Sequence, residues 1–439
     1  MRDEVHLTDD EPPEREARDS TRPELRDAAT AINFVADAGK QMLESSTSVS
    51  EVIDRLREFL PAVGLAGCAV DATMSSLILS YVRPGQAVPL TTMRELDVAS
   101  PRLGLLAGTD ALLDRVERGE IGLDAAVEQL RALVHLPTQS LRVTWLALLM
   151  SVAGWVVFLD GLHVGTLVVA LMATALTFPL GGLVRRLQLP SLAATFLAAV
   201  VVAAIPNMLG AAGVSLHVGP AVVGALFIYL PGRAFVSSVI DGLANATLSS
   251  LSRGIQALTT AGFLALGMLV GNRIGAGLGL AYEPDVTATA LWASIIGAAL
   301  GVLGIAVAWS MPLRQLPPTL FISSSGWLIV ALATSRPADS AWPAYLIAAG
   351  VVGVLGVLVA GLQQSSASTF TGVAILPLVP GFTLYTGMLA IAQGNMTDAG
   401  SALVDAGAIS LAIAIGIALG IGVGRNTLTV GRRIKERSS

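Results

Sequence analysis

The sequence predicts a polytopic α-helical membrane protein, with about ten transmembrane helices in two inverted repeats of five behind a small N-terminal α/β soluble domain. Three observations predict it. First, charge is sparse: 13% of the 439 residues are charged, against about a quarter in a soluble protein. Second, that charge is segregated. Residues 1–142 hold 24 of the 32 acidic and 15 of the 27 basic residues, and the rest is so apolar that the chain is 53% hydrophobic with a mean hydropathy of +0.70. Third, the apolar region breaks twice at the same dipeptide, Pro231-Gly232 and Pro380-Gly381, 149 residues apart.

The N-terminal region is read first. Residues 1–27 are charged, contain proline and lack apolar surface, so they are expected to be a disordered acidic tail; they show no signal-peptide core. Ile32, Val35, Met42 and Leu43 lie at helical spacing and predict a helix over 28–44. Ser48 and Glu51 have the spacing of a capping box that opens a second helix running to Leu60. Residues 66–73, 75–82 and 87–96 read as strands, the second rich in β-formers. Helices follow over 102–118 and 123–133, split by Gly119 and Gly122. The resulting domain, 28–140, is large enough to bury its own core.

Ten apolar segments follow, over 143–159, 162–180, 190–210, 219–240, 254–278, 287–311, 319–334, 342–362, 368–392 and 402–424. Most approach the roughly 20 residues a helix needs to cross a bilayer. With the soluble domain placed in the cytoplasm, the inside segments collect Arg142, Arg185, Arg186, Arg253, Arg314 and a basic tail, 425–439, carrying Arg425, Arg432, Arg433, Lys435 and Arg437. The outside segments hold only Arg273 and Arg336, alongside Asp160, Glu283, Asp285, Asp339 and Asp398. This bias follows the positive-inside rule and puts both termini in the cytoplasm. Segments one to five (141–285) and six to ten (286–424) align. In each half the fourth carries the Pro-Gly break, a polar pair follows (Asp241-Gly242, Gln393-Gly394), and a glycine-rich fifth segment holds Gly267-x-x-x-Gly271 or Gly420-x-x-x-Gly424. Five spans per half reverse the orientation, so the repeat is expected to be inverted.

Broken helices at matching positions of two halves point to a transporter with a polar site at mid-depth. Proline removes a backbone donor, and the freed groups need partners in hydrocarbon. Pro231, Gly232, Pro380 and Gly381 are therefore candidate substrate-binding positions. Arg233 stands two residues past the first proline, where a charge is expensive and its guanidinium suits a carboxylate. Asn207, beside Pro206 in the third segment, and Ser325, in the short seventh, are candidate polar linings. Asp241 and Asp405 are candidate proton carriers or ammonium acceptors. The plainer readings are packed kinks, a snorkelling arginine, aspartates that end helices, and serines and Gly-x-x-x-Gly patterns that serve helix packing.

Other chemistries lack support. Cys68 is the single cysteine, which excludes a disulfide framework. His6, His135, His163 and His217 show no metal-ligand spacing, so no metal is expected. No Walker A motif or basic aromatic patch argues for ATP-driven transport or nucleic-acid binding. Asp37, Glu44 and Glu51 share a helical face but read as solvated surface, so no catalytic site is expected.

From Phe34 onward the chain resembles the bacterial threonine/serine exporter family. The resemblance rests on Ala38-Gly39, Val49-Ser50-Glu51-Val52, Gly104 through Gly119, Asp124-Ala125-Ala126, Pro231-Gly232, Asp241-Gly242 and Leu378-Val379-Pro380-Gly381, in that order. Glu44-Ser45-Ser46-Thr47 departs from the small glycine-containing segment usual after the first helix. The resemblance implies export of L-threonine and L-serine across the inner membrane by a multi-pass antiporter driven by the proton motive force, with protons as coupling ion and no cofactor. Both halves are fused here, so no second subunit carrying the other half is implied, and a homo-oligomer stays open. Two other readings remain: a membrane-anchored enzyme with a hydrolase-like N-terminal domain, and a passive small-solute channel.

Overall fold

The computed structural model describes residues 23–45, 49–97, 101–135, 139–276, 289–334, 341–363 and 365–438. Glu283, Asp285, Arg336, Asp339, Ser48 and the junction expected at 285/286 lie outside the described residues.

The soluble domain is built on α1 (Pro23–Ser45). This helix starts inside the stretch expected to be disordered. Proline suits a first helical turn. Strands β1 (Ala69–Ala72), β2 (Ser76–Tyr81) and β3 (Leu90–Glu95) form an antiparallel meander in the order β1-β2-β3. The register pairs Val70 with Leu79 and Ile78 with Met93. Helices α2 (Val49–Phe59), α3 (Leu103–Glu117) and α4 (Leu123–Val134) complete the domain. Its core joins Ile32, Phe34, Val35 and Met42 of α1 to Leu56 and Phe59 of α2 and Leu77 and Leu79 of β2. Gly39 is where α1 comes closest: a Cβ there would stand 2.7 Å from both Leu56 and Leu77.

The membrane region comprises α5 (Leu141–Asp160), α6 (Val164–Arg186), α7 (Ser191–Ala211), α8 (Val218–Leu226), α9 (Gly232–Leu243), α10 (Thr247–Ala276), α11 (Leu291–Ala308), α12 (Leu316–Thr334), α13 (Trp342–Gln363), α14 (Ala367–Ala374), α15 (Gly381–Ala392) and α16 (Met396–Ser438). Among the described residues eight helices are long and apolar enough to cross a bilayer, or ten spans if each bent pair, α8 with α9 and α14 with α15, counts as one. Exposed Leu146, Leu176, Leu258, Phe321, Ile347 and Leu419 are the surface a bilayer would cover. The chain is thus a multi-pass membrane protein.

Three helix pairs form the interior: α5 with α11, α7 with α10, and α13 with α16. Each closes over small residues. Gly154 of α5 faces Gly297 and Gly301 of α11, and Ser151 Oγ donates to the Gly301 carbonyl at 2.9 Å. Gly267 and Gly271 meet the backbone of α7, while Gly416 and Gly420 meet that of α13. The Gly-x-x-x-Gly patterns therefore serve close packing. One charge sits differently from expectation: Arg253, assigned to a loop, lies in the second turn of α10, because Asp241 neutralises it there.

Candidate functional site

The two Pro-Gly breaks have the same backbone. Each follows a three-residue 3-10 turn (Phe227–Tyr229, Leu376–Leu378). Each passes through one extended residue, Leu230 at φ −65°, ψ 130° and Val379 at φ −59°, ψ 133°. Each then starts a 12-residue helix at the glycine. The bends are 49° and 45°. The breaks also touch one another. A Cβ on Gly232 would overlap Val379 Cγ1, and one on Gly381 would come within 3.0 Å of Leu230 Cδ1. Glycine is needed there for close approach, not for a left-handed backbone.

A cavity of about 320 Å³ opens at this contact. Pro231, Ala234 and Ser237 line it from the first bent pair, Leu376, Val379 and Gly381 from the second, and Trp155 and Trp309 from α5 and the end of α11. Trp155 is fully buried and stacks on Phe227 with ring centroids 3.9 Å apart. Its indole N–H has no protein partner, which costs about 1–3 kcal/mol unless something in the cavity accepts it. Arg253, Gln256 and Thr260 of α10 supply the polar wall. Asp241, whose side chain is fully buried, stands 2.9 Å from Arg253 Nε.

The soluble domain forms the remaining wall through Glu44, Val49, Thr73, Met74, Leu96 and Pro101. Hydrogen bonds hold it there, three of them from backbone amides. Asp241 Oδ1 accepts from Val49 N at the start of α2, 3.2 Å. The Trp309 carbonyl accepts from Leu103 N at the start of α3, 2.8 Å. Asp110 Oδ2 of α3 accepts from Ser366 N at the start of α14, 3.0 Å. Gly104 permits the second contact, since a Cβ would stand 2.8 Å from the Ser310 carbonyl. These bonds also orient the bent pairs. His217, before α8, bonds Asp160 at the far end of α5, 2.6 Å, whereas Asp241 ends near the soluble domain; α14 instead begins at that domain.

The expected site residues divide accordingly. Pro231, Gly381 and the contact-making Gly232 are at the cavity; Pro380 is the residue from which α15 starts. The Arg233 side chain lies outside the described residues. Asn207 is buried elsewhere, its Nδ2 donating to the Ala203 carbonyl (2.8 Å) and to Asn272 Oδ1 (3.1 Å), so it joins α7 to α10. Ser325 Oγ donates back to the Phe321 carbonyl at 2.8 Å. Asp405 is exposed on α16.

Ser48, the expected capping partner of Glu51, lies outside the described residues, and Glu51 is half-buried and bonds Ser368 of α14. Two expectations are corrected. Asp37 and Glu44 are not merely solvated: Asp37 accepts from Arg94 at 2.7 Å and Glu44 from Asp97 N at 3.0 Å, tying β3 to α1. The histidines are not all scattered. His163 and His217 stack at 4.5 Å, and with Asp160 they offer three ligand atoms within 4.8 Å, a grouping able to hold a metal ion. Folding joins positions that sequence spacing keeps apart.

Two broken helices that meet at a partly polar cavity are an arrangement that membrane transporters use. Residues 33–275 match the family described as "Putative threonine/serine exporter" and residues 294–422 the one described as "Threonine/Serine exporter, ThrE". The chain belongs to the threonine/serine exporter family. It is similar to a Mycobacterium tuberculosis protein named "Probable threonine/serine exporter", 26% identical over 388 residues that cover 84% of this chain and 72% of that relative. No solved structure matches it.

Proposed function

We propose that the chain is a secondary active exporter of small hydroxylated amino acids, L-threonine and L-serine, across the inner membrane, driven by the proton motive force. The observation that carries this reading is the meeting of the two Pro-Gly breaks at one cavity. The family and its relative supply the substrate class.

In this reading the substrate lies between the breaks. Its carboxylate takes Arg253, and Arg233, which follows the first break in the sequence, is a second candidate guanidinium. Its ammonium takes Asp241, which exchanges the Arg253 contact for the ligand. Charge-assisted bonds of this kind are strong when water is excluded. The unsatisfied Trp155 N–H is placed to meet an oxygen of the ligand, and Ser237 or Thr260 its hydroxyl. Because Asp241 also holds Val49 N, binding at Asp241 competes with docking of the soluble domain. The cavity floor and the exit of that domain are thereby linked, as alternating access requires.

The inverted repeat belongs to the same proposal. Its support is a matched set of neighbours: α7 with α10 against α13 with α16, α9 with α10 against α15 with α16, and the reciprocal contacts α9 with α16 and α10 with α15. The opposite senses of the two bent pairs agree with it. Rocking one half against the other about the paired α5 and α11 would move the cavity from one face to the other.

The test is export from cells lacking their own exporters and preloaded with a threonine-containing dipeptide. Uphill, uncoupler-sensitive appearance of threonine outside, lost in Arg253→Ala, is the expected result. Downhill-only flux would replace the exporter with a channel, and no flux of threonine or serine would remove the substrate assignment.

A further inference from the structure

A second cavity, of about 230 Å³, lies where the soluble domain meets the second half. Glu51, Arg55 and Glu58 face it from α2, Asp110 and Asp114 from α3, Ser366 and Ser368 from the start of α14, and Arg425 from α16. Among the described residues its charges do not balance. Four carboxyl groups line it, and Glu117 joins them through Arg55, against two arginines. Arg55 is already divided: its guanidinium is 2.7 Å from Asp114, 2.7 Å from Glu117 and 3.7 Å from Asp110. Asp110 is 3% exposed, and only its Oδ2 has a hydrogen-bond donor, the Ser366 amide. Glu51 is half-buried beside it and feels its charge.

Two carboxylates enclosed together with too little positive charge favour holding a proton. We propose that Glu51 and Asp110 form a proton-binding site at the domain junction, and that the proton they hold keeps the soluble domain docked against α14. The burial that docking imposes pushes Glu51 up to about 7 from 4.5, with the neighbouring Asp110 adding to the rise. Burial likewise pushes Asp110 up to about 6 from 3.8, against the opposing pull of Ser366 and Arg55. Both values are raised in the docked state, so docking is strongest below the ordinary carboxyl range. It weakens as pH rises and reaches its minimum above about 7. Within that window the docked-to-released ratio falls by up to about tenfold per pH unit for each group. An exporter that admits protons would thus close its cytoplasmic side as the interior acidifies. The site goes beyond the exporter reading and stands on its own geometry.

The test is a distance measurement on the full chain in lipid nanodiscs. Spin labels are placed at Val88→Cys in the soluble domain and Leu362→Cys at the end of α13, both highly exposed, with Cys68→Ser removing the native thiol. The expected result is one short distance at pH 5 and a growing longer-distance population that levels off above pH 7. In E51Q/D110N, whose amides imitate the protonated acids, the short distance should persist throughout. If the double variant does not fold, the single E51Q should shift the midpoint downward. A distribution that does not change between pH 4.5 and 8.5 in the unsubstituted pair would overturn the proposal, as would an unshifted midpoint in the variants. Neither result depends on transport: efflux without pH-dependent docking removes this site alone, and pH-dependent docking without efflux removes the exporter reading alone.

Discussion

The two bent pairs share a backbone and differ in chemistry. Ten residues after Pro231 comes Asp241, buried and paired with Arg253; ten after Pro380 comes Ala390, buried among apolar neighbours. The first pair offers Pro231, Ala234 and Ser237 to the cavity and holds Arg253 of the cavity wall through Asp241, and the second offers Leu376, Val379 and Gly381. Their ties to the soluble domain are also reversed. A membrane carboxylate, Asp241, meets a soluble-domain amide, while a soluble-domain carboxylate, Asp110, meets a membrane amide. One backbone solution thus serves two different chemical settings.

The strongest way to break that comparison is Asp241→Asn. It leaves Arg253 buried without its counter-charge, a loss of about 3–5 kcal/mol, readable as thermal stability in detergent. Arg253→Gln added to it should recover most of the stability while leaving efflux abolished. The matching change in the second half, Ala390→Gly, should leave efflux near the unsubstituted level. If Asp241→Asn is as stable as the unsubstituted chain, the ion pair is not the element that separates the halves.

Next in size come the two glycines. Gly232→Ala drives a Cβ into Val379, at a cost of about 1–3 kcal/mol for overpacking, and Val379→Ala should relieve it. Gly381→Ala meets the flexible end of Leu230 closely and the Phe227 ring at ordinary contact distance, and should cost under about 1 kcal/mol. Equal losses at both positions would show that the contact is not asymmetric. Smallest of all should be Ser325→Ala and Asp405→Asn. Ser325 bonds only its own helix and Asp405 is exposed, so both should fall within about 0.5 kcal/mol and leave efflux unchanged.

Much of this was legible in the sequence. The Pro-Gly breaks, the apolar helices and the three strands follow from local rules, since proline, glycine and apolar period act on their own neighbours. What was not legible depends on partners far along the chain. Arg253 reads as a loop charge until Asp241 is brought beside it. Glu51 carries no sequence sign of its neighbours Ser368 and Asp110. His163 and His217 become a pair only when α5 and the segment before α8 converge. Trp155 carries no sequence signal of a site, being one more apolar residue in an apolar span. Its neighbours Gly301 and Phe227 decide its role.

The central claim is that substrate occupies the cavity between the two breaks. Ala234 lines that cavity, and Cys68 is the single native thiol. In Ala234→Cys on a Cys68→Ser background, the rate of reaction with a small membrane-permeant thiol reagent should fall as threonine or serine is added. Leucine at the same concentrations should leave it unchanged. A labelling rate indifferent to threonine and serine, in protein that still exports them, would place the substrate elsewhere and contradict the account.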